Sequence, residues 1–163
     1  MSGKAKVIPI DEWLQVFRAS TLELASSMLR FDAPAAAAKS AKPEEPGEPG
    51  AYIAILSPHN AVHLGLSARP ANCRALARAL LGLRTDQAVS EHDVVDGLSE
   101  VMNILAGKVK ATMAGRDGQL HLGLPMFVAN PIRSGAESES TSAEVRVGPV
   151  ECTLRVYRRA RAA

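Results

Sequence analysis

Aromatic side chains are scarce in this sequence: they make up 4% of 163 residues, with one Trp, two Tyr and three Phe. A core must therefore be assembled from Leu, Val, Ile, Ala and Met, in keeping with a hydrophobic content of 47%. The length suffices for one packed domain over 1–163. Cysteine is nearly absent as well. Cys73 and Cys152 stand far apart with no paired spacing, which gives no basis for a disulfide framework or a thiolate metal cluster and points to a reduced, cytoplasmic setting. No apolar run reaches membrane-spanning length and no signal-peptide pattern is seen, so no membrane association is expected. Charge is close to balanced, 19 Lys and Arg against 17 Asp and Glu. A net charge of +2 does not supply the clustered positive face that binding to a phosphate backbone requires, and nucleic acid is not an expected partner. Only the tail from Arg155 to Arg161 is visibly basic, and it reads as a solvated strand edge that discourages aggregation.

Signatures of independent chemistry are also lacking. His63 and His121 fall at polar positions of alternating strands, and His59 and His92 add no cluster with ligand spacing on one helix face, so no metal is expected. Ser57 and Ser99 have no neighbouring triad pattern, and the glycines of GLG and GRDG read as turn residues, not as a phosphate cradle.

What the sequence does contain is ordered periodicity. Asp11 can cap a helix whose apolar positions Leu14, Phe17, Leu24, Met28 and Phe31 recur at three- and four-residue steps. The stretch 33–50, rich in Pro and Ala, has almost no bulky apolar side chain to offset its ordering entropy and reads as a flexible loop. Tyr52 to Ser57 and Ala61 to Ala68 form a hairpin pattern, with Val62, Leu64 and Leu66 on one side. Pro70 opens a helix through Leu83, with Cys73, Leu76, Ala77 and Leu80 facing inward and Gly82 near its end. A long helix starts near Ser90, with Asp93 in the capping-box position, and runs to Met113. After a turn at Gly115, Asp117 and Gly118, Leu120, Leu122 and Leu124 alternate along a strand interrupted by Pro125. Asn130 to Ser142 reads as a loop. Glu144 to Val147 and Val150 to Arg159 then close a hairpin around Gly148 and Pro149, with Cys152, Leu154 and Val156 on its buried face. The segments STLELASSMLR and GLSEVMNILAG register without a gap, which sets Glu23 on Glu100 and Ser26 on Asn103.

The long helix carries the polar residues of interest. At about 100° per residue, Asp96, Glu100, Asn103 and Gly107 fall within a stripe roughly 60° wide. Leu98, Val101, Met102, Leu105 and Val109 cover the opposite side. A Glu and an Asn three apart project side by side, and a Gly one turn further on removes the side chain that would hold another backbone away. That arrangement suits docking against a second protein.

The segment DGLSEVMNILAGKVK resembles the signature helix of the CheC, CheX and FliY phosphatases, whose core is a Glu, two variable residues, an Asn, and a Gly four further on. VFRASTLELASSMLRFD resembles the family's first helix and LHLGLPMFVAN its Pro-containing strand. A single Glu and Asn pair is similar to the CheX form. The resemblance implies an α/β fold with a mostly antiparallel sheet packed against helices, and a phosphatase acting on the aspartyl phosphate of a CheY-like response-regulator receiver domain, in chemotaxis or another two-component pathway. It implies that Asn103 orients the attacking water, that Glu100 grips the partner's active-site lysine, and that Asp96 and Gly107 help to dock it. No cofactor is implied for this chain itself, since the magnesium ion belongs to the response regulator. A homodimer is implied too, with a sheet running across the interface from Val150 to Arg159 or from Ala61 to Ala68. Two departures stand out: Lys108 follows Gly107 where the family often has Asn, and the Pro-rich stretch before Tyr52 looks like an insertion. They leave open a catalytically inactive module that binds a receiver or serves as a dimeric scaffold. The FliY relation leaves open a structural part of a flagellar switch.

Overall fold

The computed structural model describes residues 7–29, 31, 48–84, 86–130, 135 and 137–159. Its elements follow in the order α1 Ile10–Ser27, β1 Gly50–Leu56, β2 Ala61–Ser67, α2 Pro70–Leu81, α3 Glu91–Met113, β3 His121–Leu122, β4 Met126–Val128, β5 Ser138–Val147 and β6 Val150–Arg159. The strands make one six-stranded antiparallel sheet in the order β3-β1-β2-β6-β5, with β4 also paired to β1. The expected α/β class and mostly antiparallel sheet are both present.

Alternation along the strands decides which face is core. Ile53 is opposite Leu64, and Leu64 is opposite Val156, so one row of aliphatic side chains crosses three strands. Ala51, Leu66 and Leu154 form the next row. All are buried, together with Val145 and Val147 of β5. The helices cover this face: α1 contributes Trp13, Phe17 and Leu24, α2 contributes Cys73, Leu76 and Ala77, and α3 contributes Leu98, Val101, Met102, Leu105 and Val109 to the same core. Burying each Leu- or Ile-sized side chain stabilises by about 1.5–3 kcal/mol, so orienting α3 is among the main energetic results of the fold. α1 and α3 run antiparallel, because Glu12 near the start of α1 pairs with Arg116 beyond the end of α3, while Glu23 near the end of α1 pairs with Lys108. The opposite sheet face carries no helix among the described residues. His63 stacks on Tyr157 there at 5.2 Å between ring centroids, and Tyr52 lies across Gly65, where a Cβ would strike its ring.

Several boundaries differ from those expected. α1 ends at Ser27, so Met28 lies beyond it and is exposed, and Phe31 instead lies over the β5–β6 turn against Gly148. Asp11 sits in the first turn of α1 and Pro9 occupies the cap position. α2 stops at Leu81, with Gly82 left-handed at φ 65° as a C-cap. Leu124 does not continue the alternation of Leu120 and Leu122. Gly123 bonds back to Ala54 and Pro125 interrupts the ladder, which leaves Leu124 90% exposed. The segment Ser138 to Ser142, expected as loop, is strand paired with β6 out to Arg159. The two segments expected to supply a dimer edge, Val150 to Arg159 and Ala61 to Ala68, are interior: β2 lies between β1 and β6, and β6 between β2 and β5. Arg155 and Arg158 are therefore not on a strand edge; Arg158 pairs with Glu139 at 2.8 Å and donates to the Ile8 carbonyl at 2.7 Å. The stretch 33–50 lies outside the described residues up to 47, and Gly50 at its end opens β1. Arg161 lies outside them as well. Among the described residues no helix is long and apolar enough to cross a membrane.

Candidate functional site

The start of α3 is set by a complete capping box: the Asp93 N–H donates to Ser90 Oγ at 3.0 Å and the Ser90 N–H donates to the Asp93 carboxylate at 2.9 Å. The bond from the Ser90 backbone, followed by its hydroxyl, holds the Asp93 carboxyl below its ordinary pKa. From this fixed start the apolar side of α3 is pressed onto β1, α1 and α2. Val94, Leu98, Val101, Met102, Leu105, Val109 and Met113 are all buried. That burial fixes the rotation of the helix about its axis, and with it the direction of the polar stripe.

Asp96, Glu100 and Asn103 are exposed on the outer side, and Gly107 is half-buried beside them. The stripe expected from the sequence is thus brought together on one solvent-facing surface. Its members differ in what they touch. Asp96 pairs with His92 one turn back, at 3.0 Å. Glu100 and Asn103 have no hydrogen-bond or ion-pair partner among the described residues. A carboxylate and a carboxamide thus stand in solvent on a rigid helix, separated by the roughly 5–6 Å between Cβ atoms of an i, i+3 pair.

The two glycines of α3 serve different ends. At Gly97 an added Cβ would come within 2.9 Å of the Ala77 Cβ, so its absence lets α2 and α3 approach. At Gly107 an added Cβ would meet nothing within 4 Å among the described residues. Glycine inside a helix is less favourable than alanine by roughly 0.8–1 kcal/mol. Packing among the described residues returns nothing for that cost at Gly107.

The segment of α1 that registers with α3 has no comparable pair. Glu23, the counterpart of Glu100, binds the Lys108 ammonium at 2.8 Å. Ser26, the counterpart of Asn103, donates its hydroxyl to the Glu23 carbonyl of its own helix at 2.9 Å. Sequence periodicity did not reveal the Lys108 to Glu23 bond, because it joins residues 85 apart in the chain.

A second polar cluster lies where the β1–β2 turn meets the turn after α3. The Ser57 hydroxyl and the Asn60 amide both donate to the Asp117 carboxylate, the latter at 2.8 Å, and the Ile8 N–H donates to Asn60 Oδ1 at 3.0 Å. Burial acts to raise the Asp117 pKa, but the bonds from Ser57, Asn60 and the Gln119 N–H outweigh it and hold the carboxyl below its usual value. The backbone N–H groups of His59 and Asn60 donate to Ser57 Oγ. Its lone pairs are thus engaged and its proton points at a carboxylate, which describes a turn anchor and not an activated nucleophile. The thiols are no better placed: burial pushes Cys73 up to about 11 and raises Cys152 further, and both are buried. Among the described residues no three His, Cys, Asp or Glu side chains are grouped as a metal site requires. The polar stripe of α3 is therefore the best candidate site.

Solved structures place this architecture in the CheC- and CheX-like fold class. A CheC-like superfamily protein from Shewanella sp. PV-4 is 14% identical with a TM-score of 0.70, and the match covers 93% of this chain and 99% of that one. Chemotaxis protein CheX from Vibrio vulnificus is 17% identical with a TM-score of 0.69, covering 96% and 100%. A chain of the CheX–CheY–BeF3–Mg2+ complex from Borrelia burgdorferi is 16% identical with a TM-score of 0.70, covering 94% and 100%. The family model described as chemotaxis phosphatase CheX matches residues 50–145, more than half of the sequence. The chain belongs to the chemotaxis phosphatase CheX family. No match is found among curated proteins.

Proposed function

We propose that this protein docks through α3 on the receiver domain of a response regulator and hydrolyses its aspartyl phosphate. The observation that carries the reading is the pair of exposed side chains Glu100 and Asn103, which have no partner among the described residues, with nothing described within 4 Å of a Cβ at Gly107 on the same face. Membership of the CheX family and likeness to a chain from a CheX–CheY complex support it.

The reaction needs a water in line with phosphorus; its oxygen forms the new P–O bond as the bond to the aspartyl oxygen breaks, leaving a carboxylate and inorganic phosphate. The loose transition state asks for positioning and charge stabilisation more than for a strong base. Asn103 meets the first need, because its carboxamide offers an acceptor for a water proton and a donor for an oxygen on the same planar group. Glu100 acts as an anchor: its carboxylate pairs with the receiver's lysine ammonium, and the bond strengthens as the interface excludes water. Asp96 extends the anionic end of the surface, and Gly107 lets the receiver's backbone come close to the helix. The magnesium ion comes with the receiver, held by the receiver's own carboxylates. A homodimer in the cytoplasm completes the reading, with β5 offering a ten-residue edge that is paired on one side by β6 among the described residues.

The test is the loss of radiolabelled phosphate from receiver domains encoded near this gene, with and without the protein. Faster decay for at least one of them supports the proposal. Binding to a receiver with decay at the spontaneous rate would assign a non-catalytic module instead.

A further inference from the structure

α3 carries two lysines in its last two turns, and the fold uses them differently. Lys108 is tied to α1, where its ammonium pairs with Glu23 at 2.8 Å. Lys110 is half-buried and has no hydrogen-bond or ion-pair partner among the described residues. Its neighbours one turn away on the helix, Ala106, Gly107, Met113 and Ala114, carry no charge that could engage it. The two lysines also differ in direction. At roughly 100° per residue, Lys110 lies about 20° around the helix from Asn103, whereas Lys108 lies about 140° from it. The stripe of Asp96, Glu100, Asn103 and Gly107 therefore continues for one more turn and ends on a cation that nothing described engages. Along the axis, Lys110 stands about 10 Å beyond Asn103. Gly107 lies between them, and nothing described comes within 4 Å of a Cβ built there. Asn103 and Lys110 thus flank a gap in the side-chain layer of the helix.

We propose that Lys110 is a docking residue whose ammonium pairs with a carboxylate on the receiver surface, outside the phosphorylation pocket, where the receiver's backbone crosses Gly107. This rests on the docking role of α3 proposed above. A carboxylate is the fitting group, because an ammonium has only N–H donors and binds an ionised acceptor more strongly than a neutral one. The position two turns past Asn103 puts the contact beyond the phosphoryl group that Asn103 serves. Glu100 then meets a cation and Lys110 an anion on one face, which fixes the direction in which a receiver lies along the helix. A receiver without the carboxylate leaves the lysine unpaired in the interface and binds less tightly. A lysine in the last turn is also favoured by the helix dipole. That effect acts on the stability of the free chain and predicts no change in receiver affinity.

The experiment measures Kd by calorimetric titration with a receiver that binds wild type, with and without beryllofluoride, and separately KM and kcat for phosphate loss. The variants are Lys110→Met, Lys110→Arg and Lys108→Met. Lys110→Met is expected to raise Kd and KM about tenfold with kcat unchanged, by the same factor for loaded and unloaded receiver, and the loss should shrink in about 0.5 M salt. Lys110→Arg keeps the charge and should stay within about threefold of wild type. Lys108→Met removes the same charge from another side of the helix and should leave Kd unchanged. One receiver Asp or Glu, changed to its amide, should reproduce the loss with wild type and add nothing to it with Lys110→Met. An unchanged Kd in Lys110→Met, an equal loss in Lys108→Met, a loss confined to the loaded receiver, or no such receiver carboxylate overturns the inference. If Glu100→Ala still weakens binding in that case, the docking role of α3 stands without Lys110. Wild type that binds without accelerating phosphate loss refutes the catalytic proposal alone, since the Kd series still decides the role of Lys110. Wild type that binds no loaded receiver refutes both.

Discussion

Replacing Gly107 by alanine should make the protein more stable and less active. In the free chain an added methyl meets nothing within 4 Å among the described residues, so the substitution should recover the helix-propensity difference of roughly 0.8–1 kcal/mol. For a chain of this length that corresponds to about 2–4 °C in Tm. Trp13, the single tryptophan and fully buried, gives a fluorescence signal with which to follow unfolding in denaturant. On the docking face the same methyl stands where the receiver backbone is proposed to approach. A tenfold loss in kcat/KM for phosphate removal, about 1.4 kcal/mol, is the expected minimum. Gly97→Ala supplies the control on the same helix. Its methyl would press on Ala77 at 2.9 Å, so it should destabilise the fold. A Gly107→Ala protein that gains stability and keeps full activity would show that no partner comes close at this position; one that loses stability would show that the site is not open.

Other substitutions separate the anchor from the fold. Glu100→Ala should weaken receiver binding by about 1.5–3 kcal/mol, the range for a hydrogen bond to a charged group, with no change in melting temperature, because Glu100 has no partner to lose within the described chain; calorimetric titration against a beryllofluoride-loaded receiver checks this. Asp117→Asn should destabilise by about 1.5–3 kcal/mol at pH 7, since an amide cannot accept from all three of the donors at Ser57, Asn60 and Gln119. The Asp117 carboxyl is held below its ordinary value in the folded state. Its contribution is therefore present above the unfolded pKa near 3.9 and is lost as pH falls through the lower folded value. Denaturation curves should show a constant gap between wild type and variant from pH 7 to about pH 5 that closes below about pH 4. A gap that persists to pH 2 would contradict this reading.

The elements read most directly from sequence were those whose signals are local. α3 was legible because Ser90 and Asp93 form a capping box and because nine buried positions recur with helical spacing, and the same periodicity placed Glu100, Asn103 and Gly107 outside. The periodicity extends α1 too far, because Met28 and Phe31 continue the spacing of Leu24 although the helix ends at Ser27. The first half of β5, SESTS, has no apolar alternation to announce a strand. It is ordered by its ladder with β6, an effect visible only once the pairing is known. Sheet order is likewise non-local, so the sequence leaves β2 or β6 as a candidate dimer edge although both are interior. The Ser57, Asn60 and Asp117 cluster and the Glu23 to Lys108 bond join residues 57 to 85 apart, and neither leaves a motif in a single sequence. The glycines of α3 look alike in sequence, and only the position of Ala77 tells them apart.

In the proposed reaction a carboxamide on α3, that of Asn103, activates hydrolysis inside another protein's phosphorylation pocket. Its most direct test is to follow phosphate loss from a receiver that binds this protein, with wild type and with Asn103→Ala at saturating concentration. Accelerated loss is expected with wild type, and with the variant a return to the spontaneous rate despite intact binding. Acceleration that survives in Asn103→Ala would contradict it.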